Sequence, residues 1–288
     1  MPNLKDIKKR INSVRSTQQI TKAMKMVAAA RFRKAQQAVV AARPYSDKMH
    51  SVLSSLALRE DRRAHPLLAE RGKECALVVL ITSDRGLCGG FNTNAAKAAE
   101  RFIRERQGGF ARYEMLIVGR KGREYMRSRS EVNVVKSHEG VTSQASYHVA
   151  SLLGQEIVAE WTEGRYDGIF LVYNTFRSAI SQEVTADQLL PIVPRPLDEG
   201  EVATSFLYEP NRVEVLSSLL PKYVEVQIYR ALVESLASEH GARMSAMDSA
   251  TSNAADMISA LTLQYNRARQ AVITKELVEI ISGAQSVQ

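Results

Sequence analysis

From Leu4 to Leu56, one register of mostly apolar or small positions can be followed in alternating steps of three and four without a slip. They are Leu4, Ile7, Ile11, Val14, Gln18, Thr21, Lys25, Ala28, Phe32, Ala35, Val39, Ala42, Ser46, Met49, Leu53 and Leu56. A 3.5-residue period held this long exceeds the three or four heptads that mark a coiled coil. It predicts one helix of about 80 Å at 1.5 Å per residue. Pro44 lies inside the stretch, but the seam resumes in phase after it, which predicts a bend rather than a break. The other end of the chain steps in the same way through Ala237, His240, Met244, Met247, Thr251, Ala254, Ile258, Leu261, Tyr265, Ala268 and Val272. With its approach from Lys222 and its tail to Ser282, this second helix is expected to reach about 90 Å. The intervening segment can return the chain to where it left, so the two helices are expected to pair antiparallel.

Both seams are poor in Leu and rich in Ala, Thr, Gln and Met. An Ala contributes far less than the roughly 1.5–3 kcal/mol of a buried Leu or Ile. The pair should therefore form a thin, closely approached shaft that is only modestly stable alone.

Between the ends the period changes. Ala76–Thr82, Met115–Gly119, Val132–Val135 and Gly168–Tyr173 are short β-rich runs, separated by helical patterns over Thr93–Arg106, Arg123–Arg129 and Tyr147–Trp161. Ile180–Ile192 is more hairpin-like. Strands alternating with helices predict a mostly parallel sheet with an antiparallel edge. The expected fold class is α/β with a long α-helical coiled coil: the two terminal helices as an antiparallel pair, and a central Rossmann-like α/β domain. The expected boundaries are 1–58 for the first helix, 74–193 for the central domain and 211–288 for the second helix, with Pro191–Pro210 as connector.

Charge adds a direction to this layout. The chain carries +8 overall, yet residues 1–48 hold twelve basic residues against Asp6 and Asp47, a net of +10. The basic surface is thus one helix, and something negative should face it. The start of the chain is basic without a following apolar h-region, and no run of eighteen apolar residues occurs. The chain is expected to stay where it is made and to meet membranes only peripherally. Cys75 and Cys88 should be too far apart for a disulfide, and they form no CxxC pattern or cluster with His.

The best enzyme candidate is the loop Thr82–Asn92, a glycine-rich turn between a strand and a helix, where phosphates bind in other proteins. It offers Gly86-x-x-Gly89-Gly90 rather than GxGxxG, and no Gly-Lys-Ser/Thr follows, which favours a tight structural turn. The five histidines are scattered and no GxSxG occurs. No catalytic site, metal or cofactor is expected. A nucleotide-binding α/β protein and a coiled-coil nucleic-acid binder using the basic helix stay as rival readings. In the latter case the basic residues should precede the heptads, whereas here they flank them.

Four segments carry a resemblance: Ile20–Ala30, Arg43-Pro-Tyr45, Thr82–Gly90 and Tyr265–Ile281. Together they resemble the gamma subunit family of F-type ATP synthases, in its bacterial form, over essentially the whole chain. The resemblance implies an antiparallel coiled coil turning inside a ring of alternating alpha and beta subunits. It also implies contacts with the epsilon subunit and the membrane c-ring, no nucleic-acid partner, and a peripheral place on the cytoplasmic face of the inner membrane. Such a rotor is non-catalytic and couples proton flow to ATP synthesis or hydrolysis. Residue by residue, Met24 and Lys25 match the stretch facing acidic lever loops of the ring, with Lys25 standing where some members carry an acid. Arg269, Gln270 and Thr274 match polar positions that touch the catalytic subunit. Leu277, Val278, Ile280 and Ile281 match the apolar tip held in the ring's bearing. Tyr208 and Glu209, within Phe206–Pro210, match the foot near the c-ring. The cysteine-bearing insertion of the chloroplast form is absent, so thiol control is not expected.

Overall fold

A computed structural model describes residues 4–57, 65–129, 132–142, 145–178, 181–193 and 211–285. In chain order the elements are α1 (Leu4–Ala57), β1 (Cys75–Ile81), α2 (Phe91–Arg104), β2 (Arg112–Val118) and α3 (Arg120–Met126). They continue with β3 (Asn133–His138), α4 (Tyr147–Thr162), β4 (Gly168–Phe176), β5 (Gln182–Leu190) and α5 (Arg212–Gln285). The fold class is mixed α/β with long terminal helices. The structure divides into two compact units: the described residues up to Ala28 with those from Met244 onward, and Ala29–Arg243. Packing therefore divides the chain within both long helices, whereas the boundaries drawn from the sequence follow the ends of the helical pattern.

In the larger unit the sheet order is β3-β2-β1-β4-β5. β1 pairs in parallel with β2 and β4, β2 in parallel with β3, and β5 antiparallel with β4. Central β1 is buried at all seven positions, as expected of a parallel strand covered on both faces. Its alternate residues divide between two cores. Leu77, Val79 and Ile81 pack with α4 and α5 around Trp161, while Ala76, Val78 and Leu80 pack with α2 around Phe102 and Phe170. The indole Nε1 of Trp161 donates to the Pro66 carbonyl at 2.9 Å, so its polar end is satisfied. α4 starts where the Ser146 side chain caps the Val149 N–H. Within this unit α1 and α5 run antiparallel: Phe32, Ala35 and Val39 pack with Val233 and Ala237, and His50 Nδ1 lies 2.8 Å from the Tyr223 hydroxyl.

The smaller unit holds the first part of α1 and the last part of α5. Thr21 and Thr251 bring their hydroxyl oxygens to 2.8 Å, and Lys25 meets Asp248, so here too the helices are antiparallel. Both prolines in the shaft, Pro44 in α1 and Pro221 in α5, lie inside continuous helix. α5 begins at Arg212, one residue inside the boundary at 211 expected for the second helix and ten ahead of Lys222, where the approach to its seam was expected. Leu216 and Leu220, buried ahead of Pro221, anchor that extra segment.

Candidate partner surfaces and a filled crevice

A sheet of this order changes direction between β1 and β4, and ligands of open α/β sheets bind outside the strand ends at such a point. Here that crevice is crossed by the chain's own α5. From α5, Glu234 accepts the Phe176 N–H at 3.3 Å and Ser238 Oγ donates to the Asn174 carbonyl at 3.3 Å, both at the end of β4. Arg243 donates to the carbonyls of Arg85 and Gly86, in the loop after β1, at 3.3 and 3.1 Å. Cys88, Phe91 and Ala242 close the remaining space. The glycine-rich loop is thus pinned to a helix by its carbonyls.

The loop is tied from its other side by Asp84. This carboxylate accepts from the Thr142 hydroxyl at 2.6 Å, the Gly140 N–H at 2.9 Å and the Arg120 N–H at 3.0 Å. Burial works against its ionisation, but these donors hold it below the usual carboxylate range. One side chain so joins the ends of β1, β2 and β3.

Arg243 is only 8% exposed and pairs with Glu239, 6% exposed, at 2.7 Å. Its Nη1 also lies 3.3 Å from His240 Nδ1, which must accept and therefore belongs to a neutral imidazole. Burial, with the Arg243 and Arg31 guanidiniums adding to it, lowers His240 to about 4. An unfolded His titrates near 6.5, so as pH falls through 6.5 toward 4 the unfolded chain takes up a proton that the folded chain refuses. This should remove about 2–3 kcal/mol of stability across that window. Glu239, whose carboxyl burial pushes up despite Arg243, acts in the opposite sense. His240→Gln should flatten the acid-side loss in urea titrations followed by the fluorescence of Trp161, the chain's one tryptophan. Equal losses between pH 7 and 4.5 in both proteins would refute this.

A second ion cluster ties both long helices to the sheet. Glu234, 1% exposed, receives Arg43 Nε at 3.4 Å and Arg230 Nε at 3.2 Å. Arg43 also donates to the Phe176 carbonyl at 3.0 Å, and Arg230 reaches Asp47 at 3.1 Å.

The residues singled out by resemblance fall in two places. Met24 and Lys25 lie on α1 of the smaller unit, both half-buried. Lys25 Nζ sits 2.6 Å from Asp248 Oδ1, so part of its charge is answered within the helix pair. With both side chains more than a third exposed, the pair is worth at most about 1 kcal/mol. Arg269, Gln270, Thr274, Leu277, Val278, Ile280 and Ile281 lie along the end of α5, all exposed. Carried along from the Thr21–Thr251 register, Leu4 falls beside Ala268, so about 17 further residues of α5 run past the described part of α1. Beyond Val272 every residue through Ser282 is exposed, including Ile273, Leu277, Val278, Ile280 and Ile281 at 48–69%. A cluster of large apolar side chains in water marks a contact surface. Tyr208 and Glu209 lie outside the described residues.

Asp248 and Arg243 did not stand out in the sequence, and Asp84 did so only as one member of the Thr82–Asn92 loop. Arg243 left one trace, the i,i+4 spacing from Glu239 on a helix; Asp248 left none that is local. Among the described residues, no group of His, Cys, Asp and Glu could hold a metal ion. No described helix is long and apolar enough to cross a membrane.

Comparison with known proteins places this architecture. The family model described as ATP synthase matches residues 3–287. The ATP synthase gamma chain of Geobacter metallireducens is 56% identical over 288 residues, covering all of both chains. That of Anaeromyxobacter dehalogenans is 50% identical over 291 aligned positions, again with full coverage of both. Among solved structures, a chain of the Euglena gracilis mitochondrial ATP synthase has a TM-score of 0.70 at 21% identity, over 99% of this chain and 94% of that one. A chain of the Tetrahymena thermophila ATP synthase central stalk and c-ring has a TM-score of 0.61 at 25% identity, over 80% and 99%. The family model spans nearly the whole chain, these gamma chains match it end to end at half identity or more, and the chain belongs to the ATP synthase gamma chain family.

Proposed function

We propose that the chain is the central rotor shaft of a bacterial F-type ATP synthase, turning inside a ring of alternating alpha and beta subunits. In this reading it couples proton flow through a c-ring to ATP synthesis or hydrolysis, contacts epsilon, and sits peripherally on the inner membrane. As a member of the gamma chain family it is a non-catalytic subunit, and the chemistry belongs to other chains of the complex. The observation that carries the reading is identity above half over the full length of a gamma chain. Two features of the surface support it. The exposed apolar end of α5 suits a dry bearing, and the twelve basic residues of the first 48 suit acidic surroundings.

The test is reconstitution. Mixed with purified alpha and beta subunits, the chain should yield an assembled complex with ATPase activity. No complex, under conditions where a known gamma chain assembles, would sink the proposal.

A substitution tests coupling. Lys25 already engages Asp248, so a lysine in place of Met24 would be a cation without a partner on the shaft and would bind acidic loops of the ring. In membrane vesicles Met24→Lys should lower ATP-driven proton pumping severalfold while ATPase activity stays within about twofold. Equal changes in the two rates would count against that placement.

A further inference from the structure

In the larger unit, α1, α5 and the start of α4 leave a groove of about 260 Å³ that no described side chain fills. Its floor is Ala38 and Ala42, and its walls are Tyr45, Tyr147 and Tyr229. Tyr45 is 61% exposed and Tyr147 41%, a poor use of two large rings unless something covers them. We propose that this groove docks an acidic amphipathic helix of a partner protein. This rests on the rotor reading and adds the chemistry of one of its contacts.

Shape favours side chains. At about 260 Å³ the groove lies at the lower edge of the roughly 300–1,000 Å³ of ligand pockets and also matches a few aliphatic side chains. The apolar positions Ala38, Ala41, Ala42 and Tyr45 follow one face of α1 over about two turns. Anchors at i, i+3 or i+4 on a second helix meet such a face, which is the usual helix-in-groove arrangement.

Charge selects the kind of helix. Lys34 lies one turn before Ala38 and Lys48 one turn after Tyr45 on the same stripe, both exposed. They bracket the groove over about 21 Å of helix axis. Lys222 is exposed one turn before Val226, a lining residue, whereas Arg230, which lines the groove itself, is already paired with Glu234 and Asp47. The nearby acids are already engaged: Glu225 accepts the Tyr147 hydroxyl at 2.7 Å, and Asp47 holds Arg230 at 3.1 Å. The rim is therefore positive around an apolar, aromatic trough. A helix of about four turns, with apolar residues along one face and acids near both ends, complements it.

The experiment places p-benzoylphenylalanine at position 45 in the full chain, assembled with the other subunits of the complex, and identifies photo-cross-linked peptides by mass spectrometry. Assembly is scored first by ATPase activity, so failure to assemble counts against the rotor reading. In assembled material the cross-link should fall in a helical segment of net negative charge with apolar residues at three- and four-residue spacing. The Lys34→Glu/Lys48→Glu double variant should lower its yield at least fivefold, while Arg101→Glu/Arg104→Glu, the same change of charge on exposed positions of α2, should leave it unaltered. Assembled complex giving no cross-link would overturn the groove proposal alone. So would a cross-link to a basic segment, an extended segment or lipid, or equal losses in the two double variants.

Discussion

Replacing Arg243 with alanine should destabilise the sheet-bearing unit by about 3–5 kcal/mol, the usual cost of breaking one side of a buried ion pair. The guanidinium is 8% exposed and has three duties: it neutralises Glu239, holds the Arg85 and Gly86 carbonyls and donates to His240. Alanine leaves a carboxylate in a nearly dry site and loop carbonyls without their donor. Trp161, fully buried in the same unit, reports the loss in urea titrations. Adding Glu239→Gln should recover a large share, since the stranded charge is then gone, and the double-mutant cycle separates that share from the loop bonds. A loss below about 1 kcal/mol would mean that the crevice is held shut by its apolar contacts alone. The functional corollary concerns the same plug: a nucleotide at these strand ends would have to displace the contacts that α5 makes with them.

Gly119→Ala should be comparably severe, for a different reason. Gly119 follows β2 with φ at +105°, and a Cβ there would lie 2.3 Å from the Thr82 carbonyl oxygen at the end of β1. The neighbour is backbone and cannot swing away. Moving it would also disturb the Thr82 hydroxyl, which accepts the Gly122 N–H at 2.9 Å. Backbone strain of about 1–3 kcal/mol and overpacking of about 1–3 kcal/mol predict a total near 2–6 kcal/mol. Gly164→Ala is the control. Its φ is +77° and an added Cβ would meet nothing within 4 Å, so it should show the backbone cost alone. Equal losses at both sites in the Trp161-monitored titration would refute the steric account.

The sheet was legible in type and order of elements but less so at its margins. β2 begins at Arg112, three residues ahead of the apolar run that announces it, because Arg112–Glu114 alternate between solvent and core instead of being uniformly apolar. β3 continues through Lys136 and Ser137 to His138. As an edge strand it is largely exposed and needs no apolar sequence, only a free backbone beside β2. The end of α5 was legible as an apolar surface, while its exposure depends on where α1 begins beside it. Lys25 was read both as a seam position and as a charge facing acidic loops; its pairing with Asp248, 223 residues away, has no local signature.

What the sequence determined by itself was the pair of seams. Every described seam position from Leu4 to Leu53, and from Ala237 to Val272, is buried or half-buried, because a helix repeats every 3.6 residues and a three-four spacing can keep only one face against a partner. It also determined the charge asymmetry of α1 and the alternation of strands with helices. Tertiary structure alone decided that the second helix plugs the sheet's crevice, that Asp84 ties three strand ends together, and that three tyrosines from three helices border one groove. Those arrangements join residues far apart in the chain through hydrogen bonds and close contacts. Such contacts depend on distances of an ångström or less, to which hydrophobic periodicity is blind.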